Sequence, residues 1–430
     1  MTTEYCNNYY SNSLNDYRTY PRLEGEQRVD VAIIGGGFTG VAMAVELAEK
    51  GKKVAIVEEN RIGWGATGRN GGQVTGSLSG DKAILKQLKP KMGEKAAEEF
   101  LWFLRWRGHE IIKSRVEKYG IDCDLKFGHL HTAYKPSHMR ELEENYEMAH
   151  AKGMGDDVEL VSAKDIGRYL ETDIYHGGLL NRRNMHLHSL NLCRGEARAA
   201  ESMGALIFEN SRVTEIVHGN TPQVVTAHGK ITANSVVLAG NAYHRLGGMK
   251  LKGMIFPACG GNVVTANLGE EVARKINSQD LAVYDCRFVL DYYRMTADNR
   301  LMFGGGANYS GRESRDIAAE LRPAIERTFP RLKGVEIEYA WSGMMGIVIN
   351  RIPQLGKLSD NVFYAQGYSG HGIGLSHIIA EIMGDAINGS MEKYDVFADF
   401  NHIQLPFGEW AGSQMLAVGM WYYGLLEKFR

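Results

Sequence analysis

Two spacings of apolar residues alternate at the start of this chain and mark its first elements. Residues 29–34 (Val-Asp-Val-Ala-Ile-Ile) form a short apolar run rich in β-branched side chains, the pattern of a buried parallel strand. From 41 to 50 the apolar positions Val41, Ala44, Val45 and Ala48 fall three or four apart, as one face of a helix requires. A second strand-like run, 53–58, ends on Glu58 with Glu59 beside it. Between the first strand and the helix lies Gly35-Gly36-Gly37-Phe38-Thr39-Gly40. In a G-x-G-x-x-G turn the first glycine makes the tight bend and the second admits a pyrophosphate to the backbone. The third lets helix and strand approach. Strand, turn, helix, strand and terminal acid together predict a site for an ADP-containing dinucleotide, with Glu58 on the ribose.

The pattern then changes several times. Residues 81–119 are helical in composition and stop at Gly120, and 122–134 predict a strand pair. A second helix starts at Ser137, and Ser162 with Asp165 predicts a capping box opening a short third one. An amphipathic helix over 191–204 leads into strands at 205–208, 211–217, 223–228 and 235–239, the last running into Gly240. The region 251–308 is strand-rich, with runs at 260–265, 288–294 and 301–306 and a hairpin turn at Asp298-Asn299. A helix over 317–329 follows, then apolar strands around 339–343 and 362–366. The last strand enters a second glycine turn, Gly370-His371-Gly372, that opens a helix reaching about 389.

Dinucleotide-domain signals thus occur at the start, middle and end, so the domains interleave. The expected division is an N-terminal arm at 1–27, a dinucleotide-binding domain from 28–90, 155–245 and 335–395, and a substrate domain from 91–154 and 246–334. An apolar tail covers 396–430.

With 430 residues, 44% hydrophobic and 23% charged, the composition is that of a globular protein with room for two domains. A formal net charge of −2 offers no footprint for nucleic acid. The five cysteines are scattered without a C-x-x-C pair, which predicts reduced thiols, a cytoplasmic setting and no zinc site. His186 and His188 would share one face of a strand, but no ligand cluster accompanies them and no metal is expected. No signal peptide or bilayer-spanning run is present. The Trp-, Met- and Tyr-rich tail either packs on the body or rests at the inner-membrane surface with access to quinone. Packing is favoured because basic residues are few.

Arg61-Ile-Gly-Trp-Gly-Ala-Thr-Gly-Arg-Asn-Gly-Gly-Gln73 is a loop suited to close backbone approach to a ligand. With the turn at 370–372 it suits one long cofactor gripped at both ends.

These blocks, with Asp122-Cys-Asp-Leu, Asp291-Tyr-Tyr-Arg, Phe303-Gly-Gly-Gly and Gly367-Tyr-Ser-Gly-His-Gly, resemble the D-amino-acid-oxidase-like (DAO) superfamily of FAD-dependent amine oxidoreductases over essentially the whole chain. The fold implied is mixed α/β and α+β: a Rossmann-like FAD-binding domain interleaved with a substrate domain on a mostly antiparallel sheet, of the glutathione-reductase-2 type. The resemblance implies that Gly35, Gly37, Phe38, Thr39 and Gly40 hold the pyrophosphate, with Glu58 and Glu59 at the ribose. Arg61, Gly68, Arg69, Asn70, Gly71, Gly72 and Gln73 would line the flavin, and Val213 would meet adenine through its backbone. Gly240, Gly343, Gly370, His371 and Gly372 would close on the ribityl chain and ring. No cysteine occurs at 341–346, where sarcosine-type relatives attach the cofactor, so non-covalent FAD is expected.

The implied reaction is oxidation of the C–N bond of a γ-glutamylputrescine-like amine by hydride transfer to flavin, then imine hydrolysis to aldehyde. The alternative is a cyclic or N-alkyl amino acid such as L-pipecolate, sarcosine or glycine, with electrons passing to oxygen or quinone. Relatives that bind a substrate carboxylate place a lysine where this chain has Gly374. His371 is the candidate polar group at the ring, or else a helix cap. Arg294 would pair with a substrate carboxylate, or else with a neighbouring acid. Lys252, and Lys250 beside it, would supply positive charge for oxygen reduction.

Overall fold

The computed structural model describes residues 4–405, 412–415 and 417–419. Two large sheets organise it. The first has eight strands, five of them parallel: Gly25–Ile34 lies between Gly229–Leu238 and Val54–Val57, with Leu206–Phe208 at the edge outside the latter. Val362–Gln366 extends the other side in parallel, and Gln354–Ser359 ends it antiparallel.

The continuous apolar runs of these strands follow from burial on both faces. Val31, Ile33, Val54 and Ile56 enter one core with the helices Phe38–Glu49 and Gly372–Ile387. Their neighbours Ala32, Ile34, Ala55 and Val57 enter a second core on the opposite face. Alternate side chains point to opposite faces, so both must be apolar when both are covered.

The second sheet has nine strands and is mostly antiparallel, with Ile337–Ile347 at one edge and Gln73–Val74 at the other. One pair, Lys126–Thr132 with Ala282–Asp285, is parallel. The helix Ile317–Thr328, capped by Asp316 Oδ1 accepting from Ala319 N, covers part of this sheet.

The sheets divide the chain differently from the expected boundaries. Val158–Ser162, Gly177–His186 and Ile337–Ile347 belong to the second sheet, not the first. The long helix Glu94–Tyr119, expected in the substrate domain, sends Ala97, Leu101, Leu104 and Ile112 into the first core. Pairing partners are set by distant residues, which hydropathy does not reveal.

Smaller differences have local causes. The helical stretch 81–119 is two helices, Asp81–Met92 and Glu94–Tyr119, broken at Gly93 with φ +84°. Residues 122–134 hold one strand rather than a pair. Ser162 Oγ donates to the Asp165 carboxylate at 2.6 Å instead of accepting from a backbone N–H, and only the 3-10 turn Ile166–Arg168 follows. The strand expected at 288–294 begins at Tyr292 and runs to Met295, while Phe288 and Val289 are exposed.

The N-terminal arm contains one helical turn, Tyr9–Asn12, and clasps the glycine loop. Tyr5 Oη donates to Ile62 O at 2.6 Å and Asn8 Nδ2 to Gly68 O at 2.9 Å. The expectation for the C-terminal tail falls mostly on residues outside those described. Within 412–415, which is helical, Gly412 abuts the Phe256 ring and Ser413 is buried. Among the described residues, no helix is long and apolar enough to cross a membrane.

Candidate active site at the glycine turns

The three glycines of the first turn play separate steric parts. Gly35 has φ +111°, and a Cβ there would stand 2.9 Å from Ala239 O. A Cβ on Gly40 would lie 1.9 Å from Gly35 O, so helix and strand touch through bare backbone. At Gly37 a Cβ would meet only Thr67 Oγ1, at 3.1 Å. The second glycine therefore leaves the open face, at the amino end of the helix Phe38–Glu49, where N–H groups and dipole favour an anion.

Glu58 follows the second strand and closes back on the turn. Its carboxylate accepts from Gly36 N at 2.6 Å and Asn60 N at 2.8 Å. Burial nevertheless pushes the carboxyl up to about 7. Ser211 N donates to Glu58 O at 2.8 Å, which brings the strand Val213–Val217, and hence Val213, to this end of the cleft. Gly240 lies beside the turn, its nitrogen 3.1 Å from a Cβ built on Gly35.

The loop 61–73 is stitched between the sheets. Asn70 makes four hydrogen bonds: to Ala66 O and Thr67 O through Nδ2, and from Gly72 N and Ser189 Oγ through Oδ1. The Arg69 carbonyl accepts from Trp341 Nε1 and Asn262 Nδ2, both at 3.0 Å. Gly343, on the same strand as Trp341, sits where a Cβ would be 3.1 Å from Arg69 Cβ. Gln73 reaches Val283 O and Tyr293 O in the second sheet. A Cβ on Gly71 would strike the Tyr292 ring at 2.4 Å, so Tyr292 lies flat against the loop.

The distant turn joins the same cleft. Tyr368 Oη lies 2.7 Å from Thr39 Oγ1, and Gly367 N donates to Asn241 Oδ1 at 2.9 Å. Gly370 has φ +98° with nothing within 4 Å of a built Cβ, so this corner is open. His371 caps the helix Gly372–Ile387, its Nδ1 3.0 Å from Ser79 Oγ. Burial holds its imidazole below the ordinary range, with the Asp81 charge partly opposing that. The bare faces at Gly37 and Gly370, the helix terminus between them and the acid at the strand end fit the two ends of a dinucleotide.

Four expected site residues have other work. Arg294 is 1% exposed, and its guanidinium donates to Gly71 O, Leu187 O and Met295 O. It supports the loop from beneath through carbonyls, and no carboxylate of the described residues bonds to it. Arg61 is held by Glu209 and Glu4. Glu59 is exposed and faces Arg212 at 3.7 Å. Lys252 is exposed, with its carbonyl accepting from Gln404, and Lys250 donates to Lys357 O. His186 and His188 do not share a strand face: His186 ends a strand and contacts Asp280 O, while His188 caps the next helix.

Several residues that build the site were not anticipated. Thr67 Oγ1 accepts from Phe38 N at 3.0 Å. Buried Glu209 accepts from Ile62 N, Arg61 Nε and Tyr20 N, anchoring the start of the loop. It follows the strand Leu206–Phe208 as Glu58 follows its own, which was the available signal. Tyr292, Trp341 and Asn262 act through tertiary contacts that no local pattern announces.

A family profile described as FAD dependent oxidoreductase, DAO, matches residues 30–386, the span from the first strand through the helix Gly372–Ile387. The chain belongs to this family. It is 39% identical to gamma-glutamylputrescine oxidoreductase of Escherichia coli (strain K12), over 99% of both chains. It is 35% identical to the probable oxidoreductase OrdL of Haemophilus influenzae, over 99% of this chain and 98% of that one. The fold is shared with glycine oxidase from Geobacillus kaustophilus, at TM-score 0.73 and 22% identity over 88% of this chain and all of that one. L-proline dehydrogenase from P. horikoshii superposes at TM-score 0.71 with 22% identity, covering 85% and 94%. The protein is an FAD-dependent oxidoreductase.

Proposed function

We propose that this enzyme oxidises the terminal amine of a γ-glutamylated diamine, a reading supported by its 39% identity to a protein named gamma-glutamylputrescine oxidoreductase. The end-to-end likeness over 99% of both chains carries the reading. Gly374 supports it: a glycine stands where a lysine would hold the carboxylate of a small α-amino acid, and its carbonyl is packed against Gly108. When bound, FAD supplies the two-electron acceptor for a C–H bond next to an amine nitrogen, so the substrate leaves as an imine that water converts to aldehyde and ammonia.

The chain's own residues position and gate. The turn at 35–40 with Thr67 would hold the pyrophosphate, Glu58 would accept from the ribose, and the Asn70-centred loop would back the ring. With no cysteine at 341–346, where sarcosine-type relatives attach the cofactor, FAD would be held non-covalently. Burial keeps His371 neutral, and its Nδ1 is engaged by Ser79. With the proton on Nδ1 facing Ser79 Oγ, the neutral ring leaves Nε2 to accept a hydrogen bond from the incoming amine and so to orient it. Electrons leave to oxygen or a quinone, and the enzyme works in the cytoplasm.

The test is anaerobic bleaching of the purified yellow protein by a panel of γ-glutamylputrescine, L-pipecolate, sarcosine and glycine. Rapid bleaching by γ-glutamylputrescine is expected. Bleaching by one of the amino acids and none by γ-glutamylputrescine would overturn the reading. Repeating the reaction under air identifies the acceptor.

A further inference from the structure

Next to the Ser79–His371 contact lies an ion pair whose two partners each keep one hydrogen-bonding position unused. Arg105, on the helix Glu94–Tyr119, meets Asp81 through Nε at 3.0 Å and through Nη2, both directed at the single oxygen Oδ2. Oδ1 of Asp81 is buried and has no partner. The remaining arm of Arg105, Nη1, faces only the Met148 thioether at 3.2 Å, a weak acceptor. The side chains are 12% and 18% exposed, with Asp81 Oδ1 shut off from solvent and the Nη1 contact with Met148 at the surface. A buried carboxylate oxygen left unpaired is costly, because it has lost its water and gained no donor in exchange. A pair built with a free anion oxygen beside a free guanidinium edge has a definite complement: a group carrying an ammonium and a carboxylate on one carbon.

Its place near His371 fits the far end of a long substrate. Ser79 contacts His371, and Asp81 lies two residues further, no more than about 7 Å along the backbone. Gly80 between them is pressed on Arg351 O, with a built Cβ 2.7 Å away, which holds this segment in place. In a γ-glutamylated four-carbon diamine, eight bonds of ~1.5 Å separate the zwitterionic carbon from the reacting carbon, about 10 Å when extended. In glycine or sarcosine the two charges flank the reacting carbon itself, and a pair set beyond His371 could not reach them.

We infer that Asp81 and Arg105 form the specificity subsite for the α-amino-acid head of the substrate, Asp81 Oδ1 accepting from the ammonium and Arg105 Nη1 donating to the carboxylate. This rests on the γ-glutamylated-amine reading above. The experiment compares kcat/KM for three amines with the same reacting end: γ-glutamylputrescine, glutarylputrescine, which lacks the ammonium, and N-acetylputrescine, which lacks both charges. The wild-type enzyme should prefer the γ-glutamyl compound over the glutaryl one by at least about tenfold, the value of one charge-assisted hydrogen bond. Asp81→Asn should erase most of that preference, through KM rather than kcat. Arg105→Lys should narrow the gap between the glutaryl and acetyl compounds. If the wild type oxidises none of the three, the underlying substrate reading has failed. If it oxidises γ-glutamylputrescine but shows no preference over glutarylputrescine, the subsite is overturned without any variant. A preference that survives in soluble, FAD-loaded Asp81→Asn overturns it as well.

Discussion

The Thr39 hydroxyl and the Tyr368 hydroxyl lie 2.7 Å apart in the core, although 329 residues separate them in the chain. Thr39 sits in the first turn of the pyrophosphate-facing helix, and Tyr368 two residues before Gly370. This bond sets the spacing between the two glycine corners, and so the length of cofactor the cleft accepts. Both side chains are buried, so Thr39→Val leaves the Tyr368 hydroxyl without its partner, a loss of about 1–3 kcal/mol. FAD affinity is expected to fall by about 5- to 100-fold, measured by fluorescence titration of the apoprotein. An unchanged dissociation constant would mean that the spacing is set elsewhere.

Gly37 and Gly40 should respond oppositely to the same methyl group. At Gly40 it would meet the Gly35 carbonyl oxygen at 1.9 Å, a backbone clash that no rotamer relieves, so Gly40→Ala should fail to yield soluble protein. Gly37 has φ −82°, within the range of any L residue, and its built Cβ approaches only Thr67 Oγ1. Gly37→Ala should fold, with far-UV circular dichroism like that of the wild type, yet purify colourless because the methyl occupies the phosphate approach. A yellow Gly37→Ala protein would show that the pyrophosphate lies elsewhere.

Arg294→Met separates support of the loop from contact with substrate. The substitution strips the Gly71, Leu187 and Met295 carbonyls of a buried donor. Urea unfolding should show a loss of roughly 2–4 kcal/mol, with weaker FAD retention. In the fraction that keeps FAD, KM for the amine should change less than about twofold, since no substrate group is removed. A large rise in KM with stability intact would restore the carboxylate-binding role.

How much of this was legible depends on the range of the interaction. The strand, turn and helix over 29–58 were readable because period, glycine spacing and terminal acid all act within one local unit. The second glycine turn at 370–372 was readable for the same reason. Membership of a sheet was not: Gln73 pairs with His186, and Ile337–Ile347 with Phe256–Thr265, and nothing within either segment names its partner. Arg294 was misjudged because its acceptors are backbone carbonyls, which every residue carries and no sequence pattern marks. Asp81 and Arg105 escaped notice because their significance lies in the atoms they leave unpaired.

Glu58 gives a pH dependence of two opposite signs. Its ordinary carboxyl value is 4.5, and in the folded protein burial raises it to about 7, against the pull of the Gly36 and Asn60 N–H groups. The folded state therefore binds this proton more tightly than the unfolded chain. The stabilisation is fully present below about 4.5 and is lost as pH rises through about 7. Apoprotein stability should accordingly decline across that window. FAD binding should move the other way, because ribose hydroxyls donate to the ionised carboxylate and favour the charged form. Its dissociation constant should tighten as pH rises from about 6 to 8, by no more than about tenfold per unit for a single proton. Glu58→Gln keeps the shape, removes the titration and should flatten both slopes. Thermal melts of apoprotein and cofactor titrations at matched pH would check this together. Parallel slopes of the same sign would rule out Glu58 as their common origin.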